Sequence, residues 1–173
     1  MSHSLTPTIE TERLRLRGHR LEDFPSTAAL WGDPDVVRHI TGRPQTEEEC
    51  WSRLLRYAGQ WALLKFGYWL VEEKSGAFVG EIGMTIGKRA IDPPLGDAPE
   101  IGWVLSTSAQ GKGYATEAVR AALAWRDKAL PPGRTVCIIS PDNAPSLRIA
   151  EKNGFREERR ATYHGNPTIV FAR

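Results

Sequence analysis

The sequence predicts an α+β fold: a mixed, mostly antiparallel central sheet flanked by about four helices, in the order β-α-α-β-β-β-α-β-α-β-β. Three observations carry that prediction. Two apolar runs, residues 68–72 and 78–86, are separated by Lys74-Ser-Gly76, which is a hairpin signal. A second pair, residues 155–162 and 168–172, flanks the turn Gly165-Asn-Pro. Between the pairs, a strand, a helical stripe and another strand form one crossover unit, which sets two strands parallel.

Taken in order, residues 13–19 alternate polar and apolar, the period of a half-buried strand. Leu21, Phe24, Ala28 and Trp31 recur at helical spacing, with Pro25 placed in the first turn. Asp33-Pro34 ends that helix, and Val36, Val37 and Ile40 suggest one more short turn. Thr46-Glu-Glu-Glu49 is a capping-box pattern that opens a helix carrying Trp51, Leu54, Leu55, Ala58, Trp61 and Ala62. After the first hairpin, residues 87–99 form a Pro/Gly-rich connection, long enough to suggest a functional loop. A strand follows from Glu100 to Leu105, then a glycine-containing turn and a helix with Ala115, Ala118, Val119, Ala122 and Leu123 on a narrow stripe. Pro131-Pro-Gly-Arg stops it. Residues 135–139 read as a buried strand, and Asn143-Ala-Pro-Ser146 reads as a helix start with Gly154 as its stop.

The chain has 173 residues, one domain's length, read as a single unit over residues 1–173 with residues 1–10 loosely ordered. No apolar run approaches the roughly 18 residues of a membrane span, and the start resembles no secretory signal, so a cytoplasmic protein is expected. Its 23 basic and 21 acidic residues are interspersed and give +2, which argues against a nucleic-acid face. Cys50 and Cys137 read as buried small hydrophobes. No His, Cys or carboxylate spacing suggests a metal. Trp31, Trp51 and Trp61 fall on apolar stripes and are expected in the core. Oligomeric state is not readable.

The stretch that carries chemistry is Glu100 to Glu117. Its turn, Gln110-Gly-Lys-Gly-Tyr-Ala-Thr116, opens a helix, so backbone N–H groups and the positive helix end face an incoming anion. A P-loop is excluded because Lys112 is followed by Gly113. A dinucleotide fingerprint lacks its third glycine, which would fall at Thr116. A tight turn that merely needs glycine is the bland alternative.

Gln110-Gly-Lys-Gly113-Tyr-Ala115 resembles the Gln/Arg-x-x-Gly-x-Gly/Ala signature of the GNAT superfamily of acyl-CoA-dependent N-acetyltransferases. Gly80-Glu-Ile-Gly, Glu100-Ile-Gly-Trp, Ala115-Thr-Glu-Ala, Asn143-Ala-Pro-Ser146 and Lys152-Asn-Gly-Phe155 follow in family order. With Thr11-Glu-Arg-Leu-Arg-Leu, they resemble the branch of ribosomal-protein N-terminal (alanine/serine) acetyltransferases. The resemblance implies acetyl-CoA as acyl donor and an amine acceptor. It implies that the backbone of Trp103, Val104 and Leu105 binds the pantetheine arm. It further implies that Gln110, Gly111, Lys112, Gly113, Tyr114, Ala115 and Thr116 surround the pyrophosphate, with Asn143 and Ser146 near the thiol.

Acetyl transfer to an amine needs a neutral nucleophile and a proton for the departing thiolate. A lysine side chain, with a reference pKa near 10.4, loses about 4–5 kcal/mol at pH 7 to become neutral, whereas an α-amine loses only about 1. Glu100 is the candidate base. Glu100, Gly102 and Val104 share a strand face, and Gly102 leaves space beside the carboxylate; a surface glutamate is the alternative. The tyrosine acid that the family commonly carries seven residues after the asparagine is replaced by Ala150. In the branch resembled, Ser146 takes its place; plain helix capping is the alternative for Asn143 and Ser146. His164 reads as an exposed loop residue. Thr41-Gly-Arg-Pro44 and residues 87–99 are the expected acceptor walls. An acetyl-CoA-dependent transferase acting on a primary amine, in a small molecule or at a protein N-terminus, is the leading reading; a non-catalytic acyl-CoA-binding sensor or structural module is the alternative.

Overall fold

The computed structural model describes residues 5–173. Among these residues, nine strands form one sheet in the order β1-β2-β3-β4-β6-β7-β9-β8-β5, and every neighbouring pair is antiparallel except β6 with β7. The strands are β1 (Ile9–Glu10), β2 (Leu14–Arg17), β3 (Tyr68–Glu73), β4 (Phe78–Thr85), β5 (Ile91–Asp92), β6 (Glu100–Leu105), β7 (Val136–Ile139), β8 (Arg156–Tyr163) and β9 (Asn166–Ala172). The helices are α1 (Phe24–Gly32), α2 (Pro34–Val37), α3 (Glu47–Leu64), α4 (Tyr114–Ala129) and α5 (Ala144–Lys152). The α+β class and the mostly antiparallel sheet are as expected. Three additions extend the element order: β1 and β5, each two residues long, and the four-residue helix α2, read from the sequence as a short turn. Of the start expected to be loosely ordered, residues 1–4 lie outside the described residues; further on, Ile9 pairs with Leu16 and the Pro7 carbonyl accepts from Trp69 Nε1 at 2.8 Å.

The local signals explain most of these elements. Thr46 caps α3 through the Glu49 N–H while the Glu49 carboxylate accepts from the Thr46 N–H, the reciprocal pair its sequence announces. Ala115, Ala118, Val119, Ala122 and Leu123 are buried, so α4 lies close on the sheet, as its small-residue stripe requires. Trp61, Trp69 and Trp125 meet edge-to-face at 4.8–5.4 Å between α3, β3 and α4, a favoured aromatic geometry. Cys50 and Cys137 are buried free thiols.

The α3 face differs from expectation. Cys50, Leu54, Tyr57 and Trp61 are the buried positions, whereas Trp51 is 42% and Leu55 49% exposed. Trp51 is therefore not a core residue. The helix carries two apolar stripes, and the chain covers only one.

Facing strand residues decide what lies where around β6. Leu30, Trp31, Val36, Val37 and Cys50 from α1–α3 pack with Val104 on one face. Ile101 joins the α4 residues on the other, with Trp103 and Leu105 packed against that cluster.

Candidate active site

Among the described residues the sheet has one parallel pair, β6 with β7, and opens there. Glu100 pairs with Val136, whose N–H donates to the Pro99 carbonyl at 2.9 Å, and no later residue of β6 is paired with β7. From Ile101 onward the two strands diverge. Backbone groups alternate sides along a strand. Pro99 faces β7, and Ser106 donates to the Val79 carbonyl of β4; the intervening groups of Ile101, Trp103 and Leu105 therefore face the gap. Val104 departs from the expectation for it, because its backbone groups face Glu81 in β4 and its side chain joins the α1–α3 cluster. Trp103 Nε1 is buried with no protein partner.

At the wide end of the gap lies residues 106–113, leading into α4. Gly111 and Gly113 adopt φ of 75° and 79°, left-handed conformations that glycine enters without strain. Gly113 is the helix N-cap and supplies no capping side chain, so the first N–H groups of a 16-residue helix stay uncommitted to one. The loop is braced from behind. Arg13 donates to Glu117 Oε2 and to the Lys112 carbonyl, at 2.7 and 2.8 Å, while Thr11 donates to Glu117 Oε1 at 2.7 Å. Gln110 Nε2 reaches the Leu105 carbonyl at 3.2 Å, and the Tyr114 hydroxyl donates to Glu73 at 3.0 Å. The side chains of Gln110 and Tyr114 thus brace the loop. A cavity of about 490 Å³ beside it is lined by Glu12, Arg13, Gly113, Thr116, Glu117 and Arg120.

Glu100 sits at the closed end, only 5% exposed, so it is not a surface glutamate. Its Oε2 accepts from Arg89 Nε at 2.7 Å, and Arg89 Nη1 donates to the Tyr163 hydroxyl at 3.0 Å. Burial pulls the Arg89 guanidinium down, and its bonds to Glu100 and Tyr163 more than offset this. Residues 87–99 thereby hold the candidate base, with β5 anchoring the connection to Tyr163 and Thr162 of β8.

The space beside Gly102 is already filled. Tyr68 enters from β3, its Cγ close to Gly83 and its hydroxyl over Gly102; a Cβ at Gly102 would stand 2.5 Å from that hydroxyl. Gly83 and Gly102 are register partners, so two facing glycines make the trough in which the ring lies. Tyr57 of α3 stacks on the ring at 4.4 Å. Burial and then the Glu100 charge push the Tyr68 phenol up to about 12, so its hydroxyl stays protonated through neutral pH. Tyr68 was not singled out by sequence reasoning; the paired glycines were its only signal.

This fit gives an expected result. Gly102→Ala destabilises the protein by about 1–3 kcal/mol, as overpacking does. Tyr68→Phe, which removes the obstructing oxygen, recovers part of that loss. Urea midpoints for the two single variants and the double variant measure the coupling, and strictly additive losses would refute this contact.

On α5, Asn143 Oδ1 accepts from the Ser146 N–H at 3.3 Å, so Asn143 caps the helix. Ser146 is half-buried in the first turn. Ala150 is fully buried in the main core, so the departure from the family's tyrosine comes with a helix packed close at that point. His164 is exposed at the tip of the β8–β9 hairpin with φ of 49°, its ring tilted against that of Tyr163 at 4.0 Å. Among the described residues no group of His, Cys, Asp and Glu is placed to hold a metal, and no helix is long and apolar enough to cross a membrane.

A mostly antiparallel sheet opened at one parallel pair, with an uncapped helix end at the mouth, frames the candidate site. The chain belongs to the GNAT acetyltransferases: residues 13–156 match the family model described as Acetyltransferase (GNAT) domain. Relatives named N-acetyltransferases accompany that match. The chain is 28% identical over 153 residues to the Bacillus licheniformis protein named uncharacterized N-acetyltransferase p20, spanning 87% of this chain and 83% of that one. A solved Bordetella pertussis structure, described as a GnaT-family acetyltransferase, superposes with a TM-score of 0.86 at 30% identity, over 96% of this chain and 99% of that one. The ribosomal-protein-S5-alanine acetyltransferase of Vibrio fischeri shares the fold at a TM-score of 0.74 and 22% identity, over 96% of each chain.

Proposed function

We propose that this chain transfers the acetyl group of acetyl-CoA to a primary amine of the α-amine class, by direct attack while both substrates are bound. The observation that carries the reading is the opening between β6 and β7, closed at Glu100 and ending at the uncapped start of α4. A pantetheine arm laid along β6 has the outward backbone groups of Trp103 and the Leu105 N–H available, together with the orphaned Trp103 indole N–H. The pyrophosphate then meets the N–H groups of residues 111–116, where the helix dipole favours an anion by roughly 0.3–1 kcal/mol. Arg13 keeps those groups in place by gripping Glu117 and the Lys112 carbonyl.

In the reaction, the amine lone pair forms the new C–N bond to the acetyl carbon and the C–S bond breaks. Glu100 receives the proton lost from nitrogen and yields it to solvent, while the departing thiolate takes a proton relayed through the Ser146 hydroxyl, which regains one from solvent, so both side chains return to their starting states. A single carboxylate already bonded to Arg89 suits an amine that is near neutrality, which favours an α-amine over a lysine side chain. Tyr68, backed by Tyr57, would bound the acceptor where its hydroxyl lies beside Gly102.

Two measurements test this. Isothermal titration with acetyl-CoA reads donor binding, and thiol release with a panel of free-N-terminal peptides, lysine side chains and small amines reads transfer. Release with α-amines is the expected result; binding without release on any amine would replace the enzyme reading with an acyl-CoA sensor, and no binding would sink both. For Ser146→Ala, turnover should fall about 10²-fold with acetyl-CoA affinity unchanged. Unchanged turnover would remove Ser146 from the chemistry and leave it a helix-start residue.

A further inference from the structure

The described residues leave the outer stripe of α3 largely uncovered. Trp51, Leu55, Ala58 and Ala62 follow one another at i, i+4, i+7 and i+11, the spacing of a single helical face. All four are exposed. Trp51 is fixed rather than loose, because Phe24 meets its ring edge-to-face at 5.2 Å. Gly59 borders the stripe in mid-helix, where glycine costs about 0.8–1 kcal/mol relative to alanine. A Cβ there would meet nothing within 4 Å, so nothing within the chain asks for glycine. Charge is arranged along the same helix. Glu48 stands at the start and Lys65 at the end, and among the described residues neither forms an ion pair; the Lys65 amine only donates to the Ala62 carbonyl at 2.9 Å.

We infer that this face pairs with the same face of a second copy of the chain, α3 against α3 in antiparallel orientation. The arrangement is self-complementary. A two-fold axis midway between Leu55 and Ala58 sets Leu55 against Ala58 of the second copy and Trp51 against its Ala62, each large side chain opposite a small one. The same axis sets Glu48 opposite Lys65 of the second copy, so both unpaired charges are matched twice. Gly59 then lets the two helices approach closely. A two-fold contact must match a surface to itself, and a fixed tryptophan near a complementary recess is the usual anchor of such contacts. A parallel pairing would set Glu48 beside Glu48.

Sedimentation equilibrium on the full chain tests this. The wild type should run at twice the monomer mass at about 100 µM, within the range of ordinary interface affinities. Ala58→Arg, at an exposed position outside the core, should raise the dimer dissociation constant at least about 100-fold. Glu48→Lys and Lys65→Glu should each raise it about tenfold, and combining them should return it to near the wild-type value, with circular dichroism confirming that every variant is folded. A wild type that stays monomeric would overturn the pairing, including the case in which another protein covers this face. A dimer insensitive to Ala58→Arg, or a double reversal that fails to recover, would overturn it too.

Discussion

Glu81→Ala should lose roughly 4 kcal/mol of folding stability, lowering the melting temperature by about 10–15 °C for a chain of this size. The reason is the environment of this carboxylate on β4, which is fully buried. It accepts from Thr27 Oγ1 and Trp31 Nε1 of α1 at 2.8 Å each, and meets His19 Nε2 at 3.2 Å. Truncation strands these groups in an apolar interior and opens a cavity between β4 and α1. Burial pushes the Glu81 carboxyl up, but its bonds to His19, Trp31 and Thr27 more than compensate and hold it below the usual carboxylate range. A depressed carboxylate stabilises the fold above its unfolded pKa, near 4.3, and that contribution disappears as pH falls through the lower folded value. Thermal melts of wild type and variant between pH 7 and pH 3 should therefore converge toward the acid end. A constant gap would show that packing alone, and not the ionised carboxylate, sets the loss.

How Glu81 is held was not readable from the sequence, and the reason is physical. Elements with their own local chemistry were legible: the Thr46 and Glu49 capping box, the alanine stripe of α4, and the glycine turn at 111–113 all act within a few residues. What joins them acts over long separations. Glu81 finds Trp31 fifty positions away, and Tyr68 reaches across β4 only because Gly83 and Gly102 happen to be register partners. The α3 face was misread because two apolar stripes on one helix give no indication of which the core takes. β1 and β5, two residues each, are too short to show any period. At the candidate site, Glu100 was chosen for its place at the strand start, but Arg89 as its partner came from a connection with no periodic signal. For Val104, the alternation that placed its side chain was not carried through to its backbone, which turns toward β4.

Glu100→Gln should lower turnover by about 10²–10³-fold while leaving the affinity for acetyl-CoA nearly unchanged. The amide keeps the shape of the side chain and can still accept from Arg89 Nε, so the closed end of the β6–β7 gap persists. It cannot take a proton. The outward groups proposed for the cofactor, on Trp103, Leu105 and the 111–116 turn, lie further along the gap and do not depend on this charge. Two readouts separate a proton acceptor from a merely structural partner of Arg89. First, the acidic limb of the wild-type rate profile should vanish in the variant. Second, the deficit should grow with the basicity of the acceptor, because an amine of higher pKa arrives charged and depends more on the base. Arg89→Ala provides the comparison: it removes the partner but leaves the carboxylate, so it should slow transfer less than Glu100→Gln and preserve the acidic limb. If Glu100→Gln kept that limb, or slowed all acceptors equally, the proton acceptor would have to be sought elsewhere along the gap, and Glu100 would be left as the buried counter-charge that fixes Arg89 and Tyr163.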